Sequence, residues 1–243
     1  MQPYISFSSV SKQFVLQGER TFKELVPNLI KGKSWAKHVE VLKNISFTIK
    51  GGETLGIVGK NGAGKSTIMK LIAGVTQPTT GTVSVVGRVA PMIELGAGFH
   101  YELTGYENIF LNGAILGMHK LEIEQMLDKI IEFSEIKEFL QEPLKHFSTG
   151  MAMRLAFSIA VHAHAQIYLM DEVFAVGDMS FQRKCMHKLE EIKKDKNKII
   201  VFVSHDEEAI KSFCERAILL SHGKILGDGK PTSVFQKYHE AKN

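Results

Sequence analysis

Residues 53–75 read ETLGIVGKNGAGKSTIMKLIAGV, and the change of character within that stretch decides the fold. Leu55 to Val58 is a short apolar run suited to a buried strand. Gly59, Gly62 and Gly64 break it, and apolar residues then return at helical spacing with Ile68, Leu71 and Ile72. Inside this strand, loop and helix, Gly59 to Ser66 fits G-x-x-x-x-G-K-[ST]. The spacing has a chemical reason. Glycines let backbone N–H groups curl around phosphate oxygens, Lys65 neutralises the outer phosphates, and Ser66 offers a hydroxyl to Mg²⁺. The candidate phosphate-binding set is therefore Gly59, Asn61, Gly62, Ala63, Gly64, Lys65, Ser66 and Thr67.

Two later apolar strands bring chemistry that such a loop needs. QIYLMDE ends in the carboxylates Asp171 and Glu172. Asp171 suits Mg²⁺ held through water, and Glu172 suits the water that attacks a γ-phosphate. KIIVFVSHD then delivers His205 at its carboxyl end, the edge at which open parallel sheets bind ligands. Beside the other two strand ends, His205 is a candidate to orient that water and sense the γ-phosphate.

The rest of the composition narrows the class. A chain of 243 residues can bury a sizeable core, as one large domain or as a core with a lobe. No run approaches the roughly 18 apolar residues of a membrane span, and MQPYISFSSV lacks a secretory pattern, so the expected compartment is the cytoplasm. Cys185 and Cys214 suit neither a disulfide framework nor a zinc site. The net charge of +4 is spread rather than gathered into a stripe, and a nucleic-acid partner is not expected. EEIKKDKNK, residues 190–198, reads as a solvated helix end and loop.

The stretch HFSTGMAMRL, residues 146–155, sets Ser148 and Gly150 directly ahead of an apolar-periodic helix. Orphan N–H groups and the positive end of the helix dipole make such a start a phosphate site, yet the loop at Lys65 already fills that role within one chain. Phosphate loop, acid pair, strand-end histidine and this helix together resemble the ATP-binding subunit of ABC transporters, over essentially the whole chain. The resemblance implies a P-loop NTPase fold of the α/β class: an ABC-type nucleotide-binding domain with a RecA-like core, an antiparallel β subdomain and a helical lobe. It implies ATP and Mg²⁺ as cofactors. It also implies a head-to-tail homodimer in which Ser148 and Gly150 of one copy touch ATP held by Lys65 of the other. Asp178, in AVGD after the acid pair, would contact across that dimer. Phe14, in VSKQF, would stack on adenine. Glu94 stands near the usual metal-contacting glutamine. The signature departs from the family's Leu-Ser-Gly-Gly-Gln at Phe147, Thr149 and Met151, and Thr149 in place of glycine is expected to restrict approach to the γ-phosphate and slow hydrolysis.

ELGAGFHYELTGYENI, FSTGMAMRLAFSIA and MDEVFAVGD together look most like the branch that exports bacterial polysaccharides, above all O-antigen, with teichoic-acid and capsule exporters as relatives. A segment at residues 18–40, with Phe22, Leu25, Leu29, Ile30 and Trp35 among five Lys and Arg, resembles that branch's insert. It suits lipid headgroups or a lipid-linked glycan, or simply packing on the core. The expected organisation is one nucleotide-binding domain over residues 1–243, a helical lobe over ~100–165, and no C-terminal carbohydrate-binding domain. In LEIEQMLDKIIEFSEIKEFL the apolar face is Ile123, Met126, Leu127, Ile130 and Ile131. Tyr101 and Tyr106 fall where the family docks its membrane subunit. The implied activity is ATP hydrolysis coupled to export of undecaprenyl-linked polysaccharide. Its implied partners are a second copy and two copies of a transmembrane permease, at the cytoplasmic face of the inner membrane. A non-transport ABC ATPase is the alternative from another class, although the coiled coil or second nucleotide domain usual there does not appear. A module that binds ATP without turnover is a third.

Overall fold

The computed structural model describes residues 2–16, 37–93, 95–171, 177–204 and 206–240. The insert at 18–40 therefore lies almost wholly outside the described residues. In chain order the elements are β1 (Tyr4–Leu16), β2 (Lys37–Lys50), β3 (Thr54–Val58), α1 (Lys65–Ile72), β4 (Thr80–Val86), β5 (Val89–Met92), α2 (Gly105–Ile115) and α3 (Lys120–Ser134). They continue with α4 (Thr149–Val161), β6 (Ile167–Asp171), α5 (Met179–Lys193), β7 (Ile199–Val203), α6 (Glu207–Phe213), β8 (Arg216–Ser221), β9 (Lys224–Gly229) and α7 (Pro231–Glu240).

A six-stranded sheet in the order β5-β6-β7-β3-β8-β9 forms the centre, parallel except for β9. Its central strands β3, β6 and β7 are buried along almost their whole length because both faces are covered, while the edge strand β9 is largely polar and exposed. The pleat sorts them. Ile167, Leu169, Val201 and Ile57 face one side, and Tyr168, Met170, Phe202 and Leu219 the other. The first set packs on α1 and on an antiparallel sheet β2-β1-β4 through Ile5, Phe7 and Leu42. The second packs on α2 to α5 through Ile109, Ile130, Leu155 and Phe181. Each fully buried aliphatic or aromatic side chain contributes roughly 1.5–3 kcal/mol, so the central sheet is held from both sides.

Between Gly105 and Val161 the chain is helical, with α2, α3 and α4 in succession. Ile123 and Ile130 of α3 are buried, with Met126, Leu127 and Ile131 packed against the same core, as the periodicity predicts. A capping box starts α2: the Thr104 hydroxyl accepts from the Glu107 N–H at 3.1 Å, and the Glu107 carboxylate accepts from the Thr104 N–H at 2.8 Å. Residues 190–198 form the end of α5 and the loop after it, with Glu191 and residues 194–197 exposed as expected and three side chains drawn inward. Ile192 is buried, the Lys193 ammonium donates to the Phe213 carbonyl at 2.6 Å, and burial lowers the Lys198 pKa. Cys185 and Cys214 are free and buried, with thiols pushed up to about 12 by desolvation, which leaves them inert as nucleophiles. No helix among the described residues is long and apolar enough to cross a membrane.

Candidate functional site

The parallel strands share one carboxyl edge, and the register across them places the site. Asp171 at the end of β6 pairs with Val203 of β7, and Val203 pairs with Ile57 of β3. Asp171 thus stands two strands, roughly 10 Å, from the strand that runs directly into Gly59. Met92 of β5 pairs with Met170, bringing the segment after β5 to the same edge. Glu172, His205 and Glu94 each follow one of these strand ends, and all three lie outside the described residues.

The loop between β3 and α1 is shaped by what surrounds it. A Cβ on Gly59 would lie 2.3 Å from the Leu220 carbonyl of β8, so only glycine lets the two backbones approach. Gly64 combines φ of 109° with a wall: a Cβ there would lie 2.6 Å from the Leu42 side chain. The Lys65 ammonium donates to the carbonyls of Gly59 at 2.8 Å and Lys60 at 3.2 Å, which keeps its charge over the loop. Asn61, Gly62 and Ser66 are exposed, Thr67 is half-buried, and Ala63 and Gly64 are buried.

Helix caps separate α1 from its neighbours. Thr104, Ser148, Asp178 and Asp206 each accept backbone N–H bonds at the starts of α2, α4, α5 and α6. Gly64 provides no side-chain cap for α1, and the first turn holds no acidic residue. Its orphan N–H groups and the Lys65 charge thus share one place, which is the electrostatics of a polyphosphate site. Oxygen donors suited to Mg²⁺ flank it: the exposed Ser66 hydroxyl and the half-buried Asp171 carboxylate. Among the described residues no group of three His, Cys, Asp or Glu forms a metal cage.

Phe14 is 41% exposed on β1. It faces Val39, two residues along from the Lys12–Leu42 pair, and Leu42 is the residue that walls Gly64. The Lys12 ammonium lies 5.0 Å from the ring centroid and donates to the Gln77 carbonyl at 2.7 Å.

Ser148 and Gly150 belong to a different element, the start of α4. The Ser148 hydroxyl accepts from the Met151 N–H at 3.2 Å and caps α4. Among the described residues a Cβ on Gly150 would meet only that hydroxyl, at 3.8 Å, so none of them demands glycine there. Thr149 is the first residue of α4 and is absent from the positive-φ positions, so glycine's backbone freedom is not required at this place and only side-chain bulk matters.

The family model for ABC transporters, which matches residues 42–175, covers the loop, the signature helix and the acid pair. The chain belongs to the ABC transporter family. The O-antigen export system ATP-binding protein RfbB of Klebsiella pneumoniae is 41% identical, over 99% of this chain and 99% of that protein. The teichoic acids export ATP-binding protein TagH of Listeria innocua is 40% identical over 97% of this chain and 70% of that protein. Among solved structures, an ATP binding subunit of an ABC transporter aligns at a TM-score of 0.76 over 97% of this chain and 93% of that one, at 22% identity. A dimeric ATP-binding cassette in a post-hydrolysis state, bound to ADP and Pi, aligns at 0.73 over 93% and 98%, also at 22%. These two show the fold.

In this ABC ATPase the structure gives Asp178 a place the sequence did not disclose. One carboxylate oxygen accepts from the N–H groups of Ser180 at 2.9 Å and Phe181 at 3.0 Å, and the other accepts from Arg154 at 2.6 Å. The Phe181 N–H, with help from Arg154, holds the Asp178 carboxyl below the usual range. Arg154 was not among the expected site residues. Its only signal is that it is the single charge in the apolar stretch MAMRLAFSIAV. Tyr101 and Tyr106 are both exposed, with the Tyr106 ring centroid 5.3 Å from that of Phe110.

Proposed function

We propose that this chain is the ATP-driven motor of a polysaccharide exporter: two copies bind two ATP, close head to tail, and drive a transmembrane partner present in two copies. The observation that carries the reading is the division of phosphate-binding groups between two places. Lys65 and the uncapped α1 start form one, and the open Gly150 at the start of α4 forms the other. A second copy facing the first completes both sites.

Residue roles follow from position. Backbone N–H groups of Gly62 to Ser66 bind the β- and γ-phosphates, Lys65 neutralises them, and Phe14 packs on adenine. Ser66 and Asp171 would hold Mg²⁺, which supplies neutralisation of phosphate charge. Glu172 takes a proton from the attacking water while His205 orients it. Glu94 reports on the metal side, and Ser148 and Gly150 of the second copy cover the γ-phosphate. Closure excludes water and does the mechanical work, because ATP completes an interface otherwise open.

The cargo reading is an undecaprenyl-linked O-antigen chain moved outward, with the motor at the cytoplasmic face of the inner membrane. Relatives named for O-antigen export support it. Teichoic-acid export is the second reading, favoured by relatives of that name at similar identity. In the native host, Glu172→Gln should remove the glycan from the surface and pile its lipid-linked form inside. The sugars of the trapped material separate the two cargoes, and unchanged surface glycan would reject both.

A further inference from the structure

The C-terminal end of α3, the middle of α4 and the start of α5 meet at a cluster of four charges. Arg154 of α4 donates to Glu135 at 2.7 Å and to Asp178 at 2.6 Å. Its guanidinium also lies 4.6 Å from the centroid of the Phe181 ring on α5. Lys184 of α5 closes the cluster onto Glu135 at 2.8 Å and donates to the Phe133 carbonyl at 3.0 Å. The Arg154 side chain is only 16% exposed, whereas the Glu135 and Asp178 carboxylates are 46% and 64% exposed, so a largely buried guanidinium holds two carboxylates at the solvent boundary.

Three features set the junction apart from a chance surface pair. Arg154 uses both arms of its fork at once, on carboxylates that come from two different elements. Glu135 ends α3 with φ of 59°, a left-handed helix end usually taken by glycine or asparagine. Asp178 is bonded through both oxygens within its own chain, so its position is fixed by α5 and α4 together.

The location gives the junction its meaning. Arg154 lies four residues, about one helical turn, after Gly150 on the same helix face. Asp178 follows the segment that begins at Glu172, immediately after β6. We propose that Arg154 is a positioning residue: by gripping Glu135 and Asp178 it fixes the start of α4, which serves the nucleotide of one site, against the start of α5, which follows the acid pair of the other. The grip makes the two catalytic sites of a dimer move as one. This rests on the head-to-tail reading above.

A point charge cannot hold both carboxylates in that geometry, so Arg154→Lys should restore only part of what Arg154→Met loses. In the full chain, Arg154→Met should lower kcat for ATP hydrolysis tenfold or more while the ATP dissociation constant changes less than twofold. Asp178→Asn is the gentler companion, because asparagine still caps α5 while its charge is gone. It should also lower kcat, and the double variant should be no worse than Arg154→Met alone. Additive losses, equal losses of ATP affinity, or full turnover in both variants would overturn the positioning role. Absence of hydrolysis in the unaltered chain would instead remove the function on which the role rests.

Discussion

Lys65 shows what one side chain must do in this site. Its ammonium is held over the loop by the carbonyls of Gly59 and Lys60, so the charge is already where terminal phosphates would come. Lys65→Ala removes that charge without disturbing the helix, because alanine suits the first turn of α1 and, among the described residues, the ammonium bonds only to those two carbonyls. ATP affinity should fall at least about tenfold, near 1.4 kcal/mol, in a calorimetric titration, with thermal stability kept. Normal affinity would contradict the phosphate-loop reading. The loop was legible in sequence because its constraints are local: glycine at 59 and 64, lysine at 65, within one strand–loop–helix unit. The grip of Arg154 was not, because its two carboxylates come from elsewhere in the chain and a lone arginine in a helix has many possible neighbours.

At the scale of elements, α4 separates stability from function. Gly150 sits in the first turn of that helix, where alanine is the better helix former by roughly 0.5–1 kcal/mol. Since an added methyl meets nothing nearer than 3.8 Å, Gly150→Ala should raise the melting temperature slightly. If another copy's nucleotide lies against this turn, the same change should lower turnover severalfold. A variant that gains stability and keeps full turnover would show that the glycine has no role outside its own chain. The existence of α4, and of the apolar strands, could be read from periodicity. Which face each strand residue takes could not, because runs such as IYLM and IIVFV are apolar at every position, and only the assembled sheet sends Leu169 toward α1 and Met170 toward the lobe. Nor could sequence alone show β1 between β2 and β4, since that order depends on pairing Tyr4 with both Lys50 and Val86.

At the scale of the whole molecule, the question is whether two incomplete sites become two complete ones. Ser148→Arg puts a long cation at the exposed start of α4, at a cost of about 1 kcal/mol for the lost cap. It should block the second copy's site while leaving its own phosphate loop sound. Lys65→Ala does the reverse. Each variant alone, paired with itself, carries the same defect in both sites and should be inactive. Mixed, the two defects of a heterodimer fall in one and the same site: the altered loop of one copy faces the altered signature of the other. The remaining site joins an unaltered loop to an unaltered signature. Random mixing makes about half the dimers heterodimers, each with one good site, so turnover should return to about a quarter of that of the unaltered protein if sites act independently. Coupling through the Arg154 junction would pull the recovery below that figure without abolishing it. No recovery at any ratio, with both variants folded and still able to associate, would count against the head-to-tail arrangement itself.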